Sequence, residues 1–365
     1  MSIDRQTKQK IPVTKPFLPP REEYEALIDE VWQRNWLTNN GPLVQQLEAE
    51  LEDYLGAPHL NYVSNGTIAL QIAIKALGLT GEIITTPFSY VATTSSIVWE
   101  GCTPVFVDID PETFNIDPSL IEEAITHNTT GILATHVFGN PCDIEAIQEI
   151  ADRHDLKVIY DAAHCFGTKY KDESVYNYGD ISTASFHATK IFHTIEGGAI
   201  IAKDLNISDK VSRMRNFGHA GFSNFEGVGI NAKNSEFHAA MGLCNLKYID
   251  SVLKRRKEQW LRYDELLNDQ GINIISIEPN STYNYAYFPV VFKDEETTLK
   301  VKNCLEKAGI SPRRYFHPSL CQLDYVKEAQ TYTSVNISKR ILCLPLFHDL
   351  CSNQQIMIVN RIVDQ

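Results

Sequence analysis

At 365 residues and a formal net charge of −13, the chain is too long for one small domain and too acidic for nucleic acid or an anionic membrane to be its main partner. Hydrophobic residues at 43% allow a large core, and eight cysteines without a C-x-x-C pair read as reduced thiols of a cytoplasmic protein. Residues 1–16, MSIDRQTKQKIPVTKP, lack the apolar stretch of a secretory signal, and no apolar run approaches the roughly 18 residues that span a bilayer.

In chain order, apolar spacing predicts helices over 21–34 and 43–55, the second opened by Pro42. Short apolar runs then read as strands: LNYV at 60, EIIT at 82, PVFV at 104, GILATHV at 131, KVIY at 157, ISTASF at 181 and AIIA at 199. Helices are expected between them at 67–77, 118–126 and 143–154. This alternation predicts an α/β fold with a mostly parallel sheet flanked by helices. From 235 to 267 the pattern reads as one or two long helices, with Arg255, Arg256 and Lys257 on a solvated face. A strand in YAYFPVVF at 285–292 and a helix near 296–308 complete a smaller C-terminal α+β lobe. The expected division is an N-terminal extension over 1–15, a large domain over 16–245 and a smaller domain over 246–365.

Candidate chemistry gathers where predicted strands end, the place at which open α/β sheets bind ligands. In VSNGTIAL, residues 63–70, Gly66 permits close backbone approach and Thr67 opens a helix, a combination suited to a phosphate. Read alone, it is also an ordinary Ser-Asn-Gly turn with a helix cap. Asp161 follows the KVIY strand, and a carboxylate there needs a cation or good donors; a structural aspartate reads equally well. His164, three residues on, faces the same ligand or simply packs. Lys190 follows the next strand in SFHATK, with Ser185 five residues before it. A desolvated amine is neutral and nucleophilic, whereas a lone lysine is most often a surface residue. Tyr90, in PFSYVAT, is either a ring stacked on a ligand or part of the core. An electron-sink cofactor such as pyridoxal phosphate needs a lysine, an acid for its ring nitrogen, a phosphate cup and a stacking aromatic. Lys190, Asp161, Gly66–Thr67 with Ser185, and Tyr90 match these needs in turn. No metal site is expected: His348 and Cys351 have suitable spacing but no second pair. Gly227-Val228-Gly229 lacks the strand–turn–helix frame of a dinucleotide loop.

From about Lys15 to the C-terminus the chain resembles the sugar aminotransferases of the DegT/DnrJ/EryC1/StrS group. The resemblance rests on WLTNNGP at 36, SNGTIAL at 64, PFSYVAT at 87, DAAHCFG at 161, SFHATK with EGG from 185, and GINAKNSEFHAAMG at 229. It implies a fold type I enzyme, aspartate-aminotransferase-like, with pyridoxal 5′-phosphate as cofactor. Lys190 would be its Schiff-base lysine, Asp161 the partner of the ring nitrogen and Tyr90 the stacking ring. Ser185 and the backbone of Gly66 and Thr67 would bind phosphate, and His164 stands where many members have glutamine. Asn231 would reach the phosphate of a partner chain, which implies a homodimer with shared sites. Thr38, Asn39, Asn40, Arg313, Tyr315 and His317 are the candidate sugar contacts.

The SFH…TK…EGG segment leans toward members that aminate C4 of a nucleotide-linked 4-keto-6-deoxy sugar, with dTDP the expected nucleotide and L-glutamate the expected donor. The product would be a 4-amino-4,6-dideoxy sugar nucleotide for a surface polysaccharide such as a lipopolysaccharide O-antigen, or for a glycoconjugate. C3 amination of a 3-keto-6-deoxy sugar is the enzymatic alternative, and a non-catalytic, cofactor-binding regulator is the other.

Overall fold

The computed structural model describes residues 10–268, 270–327 and 329–365. Its centre is a seven-stranded sheet in the order Leu60–Val63, Gly198–Ala202, Ile181–Ser185, Lys157–Asp161, Thr129–Thr135, Glu82–Thr85, Thr103–Phe106. The last five in that order run parallel, and Gly198–Ala202 runs antiparallel to both of its neighbours. Parallel strands need crossovers, and the crossovers bury both faces of the sheet. Successive residues accordingly enter different cores. Ile132, Ala134, Val158 and Tyr160 pack with Leu47, Ile147 and Leu243 on one side, while Leu133 and Ile159 pack with Ala69, Ala73 and Val211 on the other.

The early helices form at Arg21–Arg34, Pro42–Leu55 and Gly66–Ala76, and the expected 143–154 helix runs Ile144–His154. Local chemistry fixes their ends. Gly41 precedes Pro42, Gly56 closes that helix in the left-handed region, and the side chains of Asn65 and Asp143 accept N–H bonds at the next two N-termini. The expected 118–126 helix is instead a 3₁₀ turn, Pro118–Leu120, and one α-turn, Ile121–Ala124, ended by extended backbone at Ile125. Among the described residues, four α-helices escaped the sequence reading, Tyr332–Arg340 and Ser352–Val363 near the C-terminus and two earlier in the chain. Val91–Trp99 is rich in β-branched residues, which mask its helical character until it packs on Gly66–Ala76. Leu205–Met214 is capped by Asp204 and packs against the same helix.

The 235–267 region folds as two helices, Glu236–Leu246 and Ile249–Leu267. The second connects two cores: Ile249 and Val252 join the larger one, and Trp260, Tyr263 and Leu267 the smaller. Arg256 corrects the solvated-face expectation. It is buried and donates to the carbonyls of Tyr285, Leu346 and Ala286, because its helix face turns inward onto the C-terminal lobe. That lobe has an antiparallel sheet of Asn273–Ile274, Phe288–Val291 and Ile341–Leu344, packed by the helices Glu295–Lys307 and Ser352–Val363. Ile11–Pro12 pairs with Ile310–Ser311, and Ile11 packs in the smaller core, so the segment read as an extension is tied to the fold there. Residues 1–9 of that segment lie outside the described residues. Among the described residues no helix is long and apolar enough to cross a membrane.

Candidate active site

The carboxyl ends of the parallel strands, with the start of Gly198–Ala202, open on a cleft of about 230 Å³. Gly66, Thr67, Tyr90, Asp161, His164, Ser185, Lys190, Arg313 and Tyr315 all line it. Those residues, separated by up to 249 positions in sequence (66 to 315), share one wall system because each follows a strand end or sits on the loop beside Cys343.

At one end, the Gly66–Ala76 helix points its N-terminus at the cleft. Asn65 Oδ1 accepts the N–H of Ile68 at 2.8 Å, while Gly66 and Thr67, also in the first turn, lie on the cleft wall. A side chain at residue 66 would put its Cβ 2.9 Å from the Ser185 Cβ, so glycine is required there by contact with the neighbouring strand end. Gly198 is required for a similar reason, since a Cβ would sit 2.6 Å from the Asn65 carbonyl carbon.

Asp161 is buried. Its Oδ2 accepts from Thr93 Oγ1 at 2.7 Å and its Oδ1 from the Ala163 N–H at 3.2 Å. Burial pushes its carboxyl above the ordinary value, opposed by the Thr93 bond, the Ala163 N–H and the charge of Lys190. Lys190 sits half-buried in a loop laced by backbone bonds from Lys190 N to His187 O and from Ala188 N to Ile195 O, both 2.8 Å. Desolvation pulls its amine down to about 8, with Asp161 acting in the opposite direction. His164 is buried among Phe138, Tyr287 and Phe316; burial first and Lys190 second hold it neutral, and its Nδ1 has no partner among the described residues. Asn284 pins the same turn by donating to the carbonyls of His164, at 2.7 Å, and Phe166, at 3.0 Å. Arg313 lies with its guanidinium 4.6 Å from the centre of the Tyr315 ring, and its backbone pairs with Cys343. Arg314 instead bonds Glu295 at 2.8 Å and the Lys339 carbonyl at 2.9 Å.

The remaining candidates lie outside this chain's cleft. His317 is exposed and its surroundings are Arg314, Glu295 and Lys339, because Phe316 takes the inward position beside it. Thr38, Asn39 and Asn40 form a turn in which Asn39 and Asn40 have positive φ. Asn40 lines a separate, smaller cavity with Arg215, Asn216 and Lys233. Asn231 is exposed and bridges to Asn216. Residues that the sequence reading missed are Ser89, Thr135, His187, Glu196, Tyr287 and Phe316 on the cleft wall, with Thr93 behind it. Glu236 is another. It is fully buried and accepts the N–H groups of Leu43 and Val44 at 2.9 Å each, fastening the helix that follows the Thr38–Asn40 turn. Its place one residue after the cap Ser235 gave no sign of that long-range role.

The profile of the DegT/DnrJ/EryC1/StrS aminotransferase family matches residues 20–363. A dTDP-4-amino-4,6-dideoxy-D-glucose transaminase from Shigella dysenteriae is 42% identical over 96% of this chain and 97% of its own length. An Escherichia coli protein of the same name is 40% identical over 95% and 96%. A crystal structure of DesI in the presence of its TDP-sugar product superposes with a TM-score of 0.92 at 31% identity, covering 97% of this chain and 92% of that one.

Proposed function

The chain belongs to the DegT/DnrJ/EryC1/StrS aminotransferase family, and on that premise we propose that it aminates C4 of a dTDP-linked 4-keto-6-deoxyhexose with L-glutamate as donor. The products are a 4-amino-4,6-dideoxy sugar nucleotide and 2-oxoglutarate, and the sugar serves surface polysaccharide or glycoconjugate synthesis. The observation that carries this reading is Lys190 and Asp161 facing one cleft beside a helix N-terminus.

The family's cofactor is pyridoxal 5′-phosphate, and the residues present fit it. A Cβ at residue 66 would fill the cradle beside Ser185, and the buried Nδ1 of His164 has no protein partner among the described residues. Lys190 would hold the cofactor's carbonyl carbon and Asp161 its ring nitrogen. Ser185 and the N–H groups of Gly66 and Thr67 would hold the phosphate, and the half-exposed Tyr90 would cover the ring. When bound, the cofactor supplies an electron sink for the charge left at the donor Cα.

The chain's own residues do the rest. Burial lowers the Lys190 amine to about 8, so a useful fraction is neutral near neutral pH. As base it takes the proton from Cα of glutamate, and as acid it returns one. The Asp161 carboxylate keeps a proton on the ring nitrogen. Aromatic walls at Tyr287, Tyr315 and Phe316 limit water around these groups, and Arg313 offers a cation to an anionic substrate group.

The working unit is a homodimer in which Asn231 of one protomer serves the phosphate held by its partner. Its exposure and its position away from its own cleft support this, as do the exposed Phe217, Phe222, Phe225, Val228 and Ile230 on the same segment. Glutamate added to the cofactor-loaded enzyme should bleach its visible band, and a keto sugar nucleotide should restore it. An unchanged band would contradict the transaminase reading and favour a regulator.

A further inference from the structure

We propose that the hydroxyls of Thr135, Ser89 and Thr93 form a one-way hydrogen-bond relay that keeps Asp161 ionised and fixes its orientation. Thr135 Oγ1 donates to Ser89 Oγ at 3.1 Å, Ser89 Oγ lies 2.7 Å from Thr93 Oγ1, and Thr93 Oγ1 donates to Asp161 Oδ2 at 2.7 Å. All four side chains are buried. They come from three separate pieces of chain: the Thr129–Thr135 strand, the loop and helix after Glu82–Thr85, and the end of Lys157–Asp161.

The direction of the relay follows from proton counting. A threonine hydroxyl has one proton. Thr93 gives its proton to the carboxylate, so Ser89 must give its own to Thr93, and Ser89 in turn receives from Thr135. Three dipoles therefore point the same way, and each bond polarises the next toward the anion. A proton on Oδ2, donated to Thr93, would turn the Thr93 hydroxyl away from the carboxylate and toward Ser89, and break the run of aligned dipoles. The relay thus favours one charge state of Asp161.

A purely packing role would not require hydroxyls. Thr93 lies behind the cleft wall, out of reach of a ligand in the cleft, and acts only through Asp161. The charged and titratable groups around Asp161 leave it little other support. Lys190 is the nearby cation, while Cys165 and Tyr176 are pushed up by burial and His164 is pushed down, so all three are neutral. The Thr93 bond opposes, without cancelling, the desolvation that raises Asp161. Thr93 is therefore a positioning residue, with Ser89 and Thr135 supporting it. Its effect on turnover rests on the assignment of Asp161 to the cofactor's ring nitrogen; its effect on Asp161 does not.

The test uses the full chain, first without cofactor. Infrared difference spectra follow the protonated-carboxyl band of Asp161 as pH falls, assigned by its loss in Asp161→Asn. Thr93→Val, which keeps the shape and removes the hydroxyl, should raise the midpoint by about one to two pH units, the worth of one hydrogen bond to a charge. Thr93→Ser should restore the wild-type midpoint. Ser89→Ala should raise it by a smaller amount, and it carries the test alone if Thr93→Val is insoluble. An unmoved midpoint in the soluble variants, or no rescue by Thr93→Ser, overturns the relay. A second arm loads the same proteins with ring-¹⁵N-labelled pyridoxal phosphate and follows the ring-nitrogen resonance with pH. The assignment of Asp161 to the ring predicts that the ring proton is lost at lower pH in Asp161→Asn than in wild type. A shift in the infrared midpoint across the Thr93 variants with no change in the ring resonance of Asp161→Asn supports the relay and contradicts the assignment of Asp161 to the ring.

Discussion

Gly66 and Ser185 are held so close that a Cβ on residue 66 would sit 2.9 Å from the Cβ of Ser185, well inside ordinary contact. The two residues belong to a helix start and a strand end, and both line the cleft. Gly66→Ala must push these elements apart at the proposed phosphate cup. The expected outcome is a loss of cofactor affinity of about tenfold or more, since roughly 1.4 kcal/mol of lost contact suffices. Equilibrium dialysis of the purified variant measures it. Unchanged affinity would remove residue 66 from the cofactor site.

Lys190 gives a pH prediction with a definite sign. Its amine is lowered to about 8, and the neutral form is the nucleophile. Covalent capture of pyridoxal phosphate by the cofactor-free enzyme should therefore quicken about tenfold per unit between pH 6 and 7 and level off above about 8. Stopped-flow absorbance records the rate. A profile that keeps rising through pH 10 would mean that the amine is not depressed. Borohydride reduction of the loaded enzyme should place the label on Lys190, read by peptide mass spectrometry.

Asp161→Asn should fold, because the amide oxygen still accepts from Thr93, yet it should lose most of its turnover. A carboxylate beside a cation is worth about 1–3 pH units of coupling, or roughly tenfold to a thousandfold in rate if that coupling is expressed in the transition state. Single-turnover kinetics with glutamate alone isolate the step. Near-wild-type rates would leave Asp161 with a structural role only.

The shared-site reading can be tested by mixing two inactive proteins. Asn231→Asp puts a carboxylate against a phosphate, and Lys190→Ala removes the amine. After subunit exchange, each mixed dimer has one site with both lesions and one with neither. If half the dimers are mixed, activity should return to about a quarter of wild type. No recovery, with exchange verified by tagged chains, would place Asn231 outside the partner's site.

Much of this site was legible in the sequence because its main residues stand at strand ends, and strand ends are readable from apolar runs. Asp161 closes KVIY, Ser185 closes ISTAS and Lys190 follows it; the structure brings all three to one cleft. The supports were not legible. Thr93 lies in a β-branched stretch that gives no sign of being a helix, and its partner Asp161 is 68 residues away. Glu236 binds N–H groups 192 and 193 residues away, and Arg256 reads as one of three surface cations until its helix turns it toward buried carbonyls. Each depends on tertiary packing, which local periodicity does not carry. Likewise His317 sits beside Arg313 and Tyr315 in sequence, but the chain faces it away from the cleft.

The central claim is amino transfer to C4, and one measurement addresses it directly. The enzyme is incubated with pyridoxal phosphate, ¹⁵N-labelled L-glutamate and a dTDP-linked 4-keto-6-deoxyglucose, and the sugar nucleotide is analysed by NMR. The account predicts ¹⁵N bonded to C4 in the product, with 2-oxoglutarate released in equal amount and neither formed by Lys190→Ala. Label on C3, or an unlabelled sugar with glutamate intact, would contradict it.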